Sequence, residues 1–230
     1  MPRRIGTLAE KSLHAALKAH YAQTDDALEC DLDGYVIDIL RQSPEGSCRC
    51  IEIQSRNLGK MKPKLQALLD RYPVQVVYPI AMERFIVRID ADGVIQSRRK
   101  SPKHGTVFDL FPELVSFPAL VCHPNLSLEV LLIQEEELWH NDGQGSWRRK
   151  HWSIYDRRLL DIVRAVPLTT TADFAALLPA DLPTSFDSGE LARAIHQPRH
   201  LAQKMAYCLR EMGVLKIVGK RRNALLYSRD

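Results

Sequence analysis

Hydrophobic positions in the first half of the chain recur in two rhythms. Leu8, Leu13, Leu17 and Tyr21 fall near helical spacing, with Ala9, Ala15 and Ala16 between them, and predict an amphipathic helix over 6–22. From residue 27 the period shortens to two. Residues 27–32 read as a short strand and Asp33-Gly34 as a turn. Residues 35–54 (YVIDILRQSPEGSCRCIEIQ) then read as two strands joined by Ser43-Pro44-Glu45-Gly46-Ser47. A basic helix over 60–71 buries Leu65, Leu68 and Leu69, with Pro63 near its start, where no amide donor is needed. The continuous apolar run 74–80 (VQVVYPI) suits the inside of a mixed sheet, and 84–90 (RFIVRID) reads as an added strand ended by Asp92-Gly93. Residues 96–105 read as an exposed basic loop, 107–117 as a helix, 127–133 as a strand, and 134–146 (QEEELWHNDGQGS) as a turn or hairpin end.

The last third changes character at Trp147. Leu159, Leu160, Ile162 and Val163 predict a helix over 154–166, Thr171 starts another as its N-cap, and 188–195 forms a third. Pro198 opens a longer helix that runs to Met212, buries Leu201, Met205, Cys208 and Leu209, and ends at Gly213. Two small strands, 214–218 and 224–228, flank the basic turn Gly219-Lys220-Arg221-Arg222-Asn223.

Charge follows the same division. Residues 1–147 hold 17 Lys and Arg against 20 Asp and Glu, a net of −3, while 148–230 hold 15 against 8, a net of +7. The expected organisation is therefore a mildly acidic α/β domain over 1–147 and a basic module over 148–230, the latter suited to a polyanion. The sequence has no apolar run of about 18 residues and no apolar stretch behind Pro2-Arg3-Arg4, so neither a membrane span nor a signal peptide is expected. Five cysteines without a regular framework suit a reducing cytoplasm. Cys48 and Cys50 read as small core residues; a zinc site combining them with Cys122-His123 lacks the usual C-x-x-C pair.

The candidate chemistry lies in the hairpin. If the five turn residues are unpaired, Gln42 faces Cys48 and the same register sets Asp38 opposite Glu52, with Asp38, Glu52 and Gln54 on one face. Two carboxylates in an apolar sheet repel each other and lose hydration, a cost that a magnesium or manganese ion between them would offset. The plainer reading puts Asp38 or Glu52 at a sheet edge, paired with an arginine such as Arg41 or Arg56. Basic residues Lys60, Lys62 and Lys64 cluster at the start of the following helix, where an anion would offset their opposition to the helix dipole.

Glu10 on the first helix, Asp38, and Glu52-Ile53-Gln54 on a hairpin followed by a basic helix resemble the PD-(D/E)XK nuclease superfamily over residues 5–80. The resemblance implies a restriction-endonuclease-like αβββαβ core with added elements. It also implies a magnesium- or manganese-dependent site in which Asp38 and Glu52 hold the metal and Glu10 assists. Glutamine replaces the usual lysine at Gln54. Gln54 would then position water, and a lysine among Lys60, Lys62 and Lys64 would stabilise the developing charge. The helix, turn, helix and hairpin over 154–228 resemble a winged helix-turn-helix domain. That resemblance implies that Arg199, His200, Gln203 and Lys204 meet bases or phosphates of DNA and that Lys220, Arg221 and Arg222 meet phosphates. The expected function is a cytoplasmic, metal-dependent deoxyribonuclease tethered to DNA, and duplex symmetry is compatible with a homodimer. The competing readings are a DNA-binding regulator that has lost catalysis and a protein partner in a defence or repair system.

Overall fold

The computed structural model describes residues 12–42, 46–90, 94–143, 145, 147 and 151–230. Glu10, most of the hairpin turn, the Asp92-Gly93 turn and the basic residues 148–150 lie outside them. Helix α1 (Ser12–Tyr21) leads into β1 (Ala27–Leu32), β2 (Tyr35–Gln42) and β3 (Cys48–Ile53). A 3-10 turn, Leu58–Met61, precedes α2 (Lys62–Leu68), and β4 (Val74–Ile89), β5 (Ile95–Lys100), α3 (Phe111–Leu114), β6 (Leu126–His140) and β7 (Ser153–Leu168) follow. The strands form one mixed sheet in the order β1-β2-β3-β4-β6-β7, with β5 also on β4. Strand β2 runs antiparallel to both of its neighbours, β1 and β3, whereas β4 runs parallel to both β3 and β6.

Each face of the sheet carries its own core. On one, α1 buries Leu13 and Leu17 against Ile39, Ile51, Ile53, Val77, Leu131 and Ile133. The other is broader: Ile37, Cys50, Val76 and Val130 from the strands meet Leu65 and Leu68 of α2 and Phe111 and Leu114 of α3. That second core continues into the C-terminal helices α4 (Thr171–Ala175), α5 (Ser188–Ala194) and α6 (Arg199–Glu211). The Cys208 thiol on α6 lies 3.6 Å from the Phe111 carbonyl oxygen. A two-stranded sheet, β8 (Leu215–Arg221) with β9 (Ala224–Arg229), completes the chain and is pinned by backbone bonds between Phe186 and Tyr227. Thr170, one residue before the expected cap, caps α4, accepting from the Asp173 amide at 3.3 Å.

Several elements depart from the sequence-based expectation. Residues 154–166 are not a helix but most of β7, paired antiparallel along β6. Three register shifts along that pairing break period-two alternation, so the apolar residues cluster as they would on a helix face. The boundary expected between 147 and 148 therefore falls in the β6–β7 connection, and β7 belongs to the sheet. Residues 170–230 hold 9 Lys and Arg against 6 Asp and Glu, a net of +3, so much of the +7 assigned to the basic module sits on or beside β7. Residues 134–140, expected as a turn, are the second half of β6, whose acids are neutralised inside the sheet. The runs 74–80 and 84–90 are a single strand, β4. The basic stretch 95–100 is strand β5 rather than a loop, and the Arg98 guanidinium stacks 3.9 Å from the Phe85 ring centroid. The helix expected over 107–117 is a 3-10 turn, Val107–Leu110, running into the single turn of α3.

Strand β4 changes neighbours along its length. Its start pairs with β3 through Val74–Val77 and its end with β5 through Phe85–Ile89. The Val77 carbonyl accepts from the Gln54 amide and the Ala81 carbonyl from the Gly105 amide, both at 2.9 Å. By period two, Pro79 turns its backbone to the same side, between those two bonds, where a proline's missing N–H removes no ladder bond. The gap opens a cleft beside the sheet.

Candidate functional site

The hairpin register is the one that an unpaired five-residue turn requires, with Gln42 opposite Cys48 and Ile39 opposite Ile51. The next step sets Asp38 opposite Glu52. There the ladder gives way to side-chain bonds: the Ile53 amide donates to Asp38 Oδ2 at 2.8 Å and the Asp38 amide to Glu52 Oε1 at 3.4 Å. The two acids do not share a face as expected. Ile37 and Ile39 pack into opposite cores, and Glu29, whose place in β1 is opposite Asp38, has a φ of 48°. This irregularity turns Asp38 towards α1 while Glu52 faces α2.

Each acid meets a base of its own. His14 Nε2 lies 3.3 Å from Asp38 Oδ2, and Lys64 Nζ lies 2.6 Å from Glu52 Oε2. Lys64 also donates to the Val36 carbonyl at 2.6 Å. Burial works to raise the Asp38 pKa, but the bonds from His14 and Ile53, with the charges of His14 and Lys64, outweigh it and hold the carboxyl below its ordinary value. Burial dominates at Glu52: although Lys64 opposes it, desolvation and the Asp38 charge leave that carboxyl above its ordinary value. The charges of this pair are thus offset by a lysine and a histidine, not by the Arg41 or Arg56 of the plainer reading. Arg41 instead forks onto Asp26 at 2.8 and 3.0 Å.

The donor set nonetheless suits a hard divalent cation. Asp38 Oδ1 accepts no hydrogen bond among the described residues, and Glu52 Oε1 accepts only the long one from Asp38. Two carboxylate oxygens of this kind, completed by water and phosphate, are a usual magnesium set. Among the described residues no group of three or more His, Cys, Asp or Glu is placed to hold a metal ion. Two residues expected at the site lie elsewhere. The Gln54 side-chain amide donates through Nε2 to the carbonyls of Arg56 and Asn57, the latter at 3.4 Å, and so shapes the loop after β3. Lys60 sits exposed on the 3-10 turn beside Glu113 and Ser116, so Lys64 is the lysine that reaches Glu52. Its position as the third residue of α2, and the i to i+4 step from Glu10 to His14, were the available signals.

On α6, Arg199, His200, Gln203 and Lys204 are all exposed, opposite the buried Leu201, Met205 and Leu209. The β8–β9 tip carries Lys220, Arg221 and Arg222, also exposed, but Arg221 is ion-paired to Glu190 at 2.9 Å.

A further charged cluster escaped the sequence reading. Glu135 and Glu137 are buried on β6; Arg84 Nε reaches Glu135 at 2.6 Å, and the Arg84 and Arg157 guanidiniums each approach Glu137 at 3.3 Å. Their alternation in β6 was the only signal, because the partner arginines stand on other strands.

Residues 11–169 match the model of a family described as "Domain of unknown function (DUF8091)", a span that ends one residue after β7. An uncharacterized protein of Treponema pallidum (strain Nichols) is 32% identical over 189 residues, covering 82% of this chain and 74% of that protein. No solved structure matches the chain. No helix among the described residues is long and apolar enough to cross a membrane.

Proposed function

The chain belongs to the DUF8091 family, and we propose that it is a DNA-binding, metal-assisted phosphodiesterase whose reacting groups lie on the β2–β3 hairpin. The observation that carries this reading is the pair of acids cross-bonded between β2 and β3, Asp38 to the Ile53 amide and Glu52 to the Asp38 amide, with Lys64 supplied to Glu52 from α2 where Gln54 leaves no lysine on β3. The order α1-β1-β2-β3-α2-β4, with β2 antiparallel to β1 and β3 and β4 parallel to β3, supports a restriction-endonuclease-like core. Asp38 and Glu52 would hold magnesium or manganese, which when bound supplies Lewis-acid polarisation of a phosphate and a more acidic water. His14 and the Ile53 amide hold Asp38 Oδ2, which fixes the direction of its other oxygen. Lys64 Nζ, two bonds already made, presents a fixed positive charge to an oxygen that gains negative charge beside Glu52. Helices α4–α6 and the β8–β9 hairpin follow the order of a winged helix, with α6 offering Arg199, His200, Gln203 and Lys204 to a groove and Lys220 and Arg222 to phosphates.

Two observations favour a catalytically silent DNA binder as the second reading: the Gln54 side-chain amide is tied to backbone carbonyls, and both acids already have basic partners. Cleavage of labelled single-stranded, duplex and branched DNA with magnesium or manganese separates the two. Hydrolysis lost in Asp38→Ala, Glu52→Ala and Lys64→Met with DNA binding retained supports the enzyme. Binding that needs Lys220 and Arg222, with no cleavage in either metal, supports the silent reader.

A further inference from the structure

The cleft beside the open stretch of β4 has a volume of about 390 Å³ and is walled by Tyr78, Pro79 and Ile80 of β4, the loop 55–57 and the segment around Gly105. Its acids and bases are unequally committed. Asp109 accepts from the Thr106 amide at 2.8 Å, Glu113 from the Leu58 amide at 2.8 Å, and Glu135 from Arg84 at 2.6 Å. Every lining carboxylate is thus engaged by the protein itself. The bases are not. Arg56 and Lys103 are exposed and form no ion pair among the described residues. Arg157 reaches Glu137 only at 3.3 Å, and its Nε is buried without a hydrogen-bond partner. Burial pulls the Arg157 pKa below its ordinary value, and the nearby Arg56 charge pulls the same way, against the opposing carboxylates. Two exposed bases without an ion pair, Arg56 and Lys103, lining one cleft with the Arg157 guanidinium, leave a place for an anion.

We propose that this cleft binds a phosphomonoester of an organic group, its phosphate held by Arg56, Lys103 and Arg157 and its organic part against Tyr78, Pro79 and Ile80. A planar guanidinium matches phosphate oxygens in pairs, and the volume equals that of about 13 waters, more than a bare phosphate displaces. Gly105 keeps the wall close: a Cβ there would lie 2.6 Å from the Ala81 carbonyl oxygen. The proposal is independent of hydrolysis at the hairpin, because neither Asp38 nor Glu52 lines the cleft.

Calorimetric titration of the full chain tests it with AMP, glucose 6-phosphate, inorganic phosphate, adenosine, and a short oligonucleotide with and without a 5′-phosphate. The expected result is saturable binding of at least one phosphorylated probe, tighter than both its dephosphorylated counterpart and inorganic phosphate. Preference for the phosphorylated oligonucleotide over AMP would identify a nucleic-acid end as the source, and the reverse a free metabolite. Because Arg157 is buried and its loss can disturb folding, the variants are Arg56→Ala and Lys103→Ala on the exposed rim. Each weakens the bound probe about tenfold, the loss of one charge-assisted bond, with the melting temperature unchanged. Equal binding of adenosine and AMP, an affinity indifferent to both substitutions, or no saturable binding of any phosphorylated probe at millimolar concentration overturns the proposal.

Discussion

Replacing Lys64 with methionine tests whether the hairpin acids depend on this one lysine. The Glu52 side chain is 8% exposed and that of Lys64 16%, so the pair is largely removed from water. Methionine keeps most of the aliphatic stem and leaves Glu52 charged, buried and beside Asp38. Breaking a buried pair by removing one partner costs about 3–5 kcal/mol; the remaining exposure places this case at the low end, about 3 kcal/mol at neutral pH. The pH dependence has a definite sign. Burial already raises the folded pKa of Glu52, and loss of Lys64 raises it further. The folded state then binds a proton more readily than the unfolded state, so stability falls as pH rises from the unfolded value, about 4.3, through the folded one. Urea unfolding of Lys64→Met and the parent at pH 7 and at pH 4 should show a large gap at the first and a small one at the second. The double variant Lys64→Met/Glu52→Gln recovers most of the loss at pH 7. In the metal-assisted reading, magnesium also restores part of it by mass action. A single variant as stable as the parent at pH 7, or a deficit that is the same at both pH values, would refute the reasoning.

Four further outcomes follow from other contacts. Phe111→Ala is expected to cost about 3–5 kcal/mol because that ring joins the sheet to α6, and a chain ending at residue 169 should lack a cooperative melting transition by circular dichroism. Lys220→Ala and Arg222→Ala should each weaken DNA binding and reduce the salt slope by about 1, whereas Arg221→Ala, whose guanidinium is paired to Glu190, should change the slope less in a fluorescence titration. Gly105→Ala should destabilise the fold by about 1–3 kcal/mol in urea unfolding, since the new methyl group meets the backbone of β4.

The parts of the fold legible in the sequence were those specified locally. The hairpin register followed from five turn residues and a period of two, which is why Asp38 and Glu52 could be placed opposite each other before any coordinates. The C-terminal helices were legible for similar reasons, with Pro198 and Gly213 bracketing α6 and the capping residues near Thr170 marking α4. What escaped depended on distant partners. The bulges in β7 exist because β6 lies alongside, and they scramble the alternation that would have marked a strand. Glu135 and Glu137 read as loop residues because nothing near them in sequence reveals that Arg84 and Arg157 will enclose them. Lys64 rather than Lys60 reaches Glu52 because Lys60 stands in the 3-10 turn before α2, a change of helical pitch that side-chain spacing does not reveal, while Lys62 bonds the Ser116 carbonyl. The shared face expected for Asp38 and Glu52 failed for a comparable reason, the irregularity at Glu29 on the neighbouring strand.

Pro79 has a consequence for solubility. A cleft cut into the side of a β-strand exposes backbone that a foreign strand could join, and such edges are common starting points for aggregation. Here a guest strand would find the carbonyls of Val77 and Ala81 already occupied by the Gln54 and Gly105 amides, and no donor between them. A valine at position 79 would supply that donor and a side chain well suited to pairing. The proline therefore lets the molecule keep an opening in its sheet without offering it to another copy of itself.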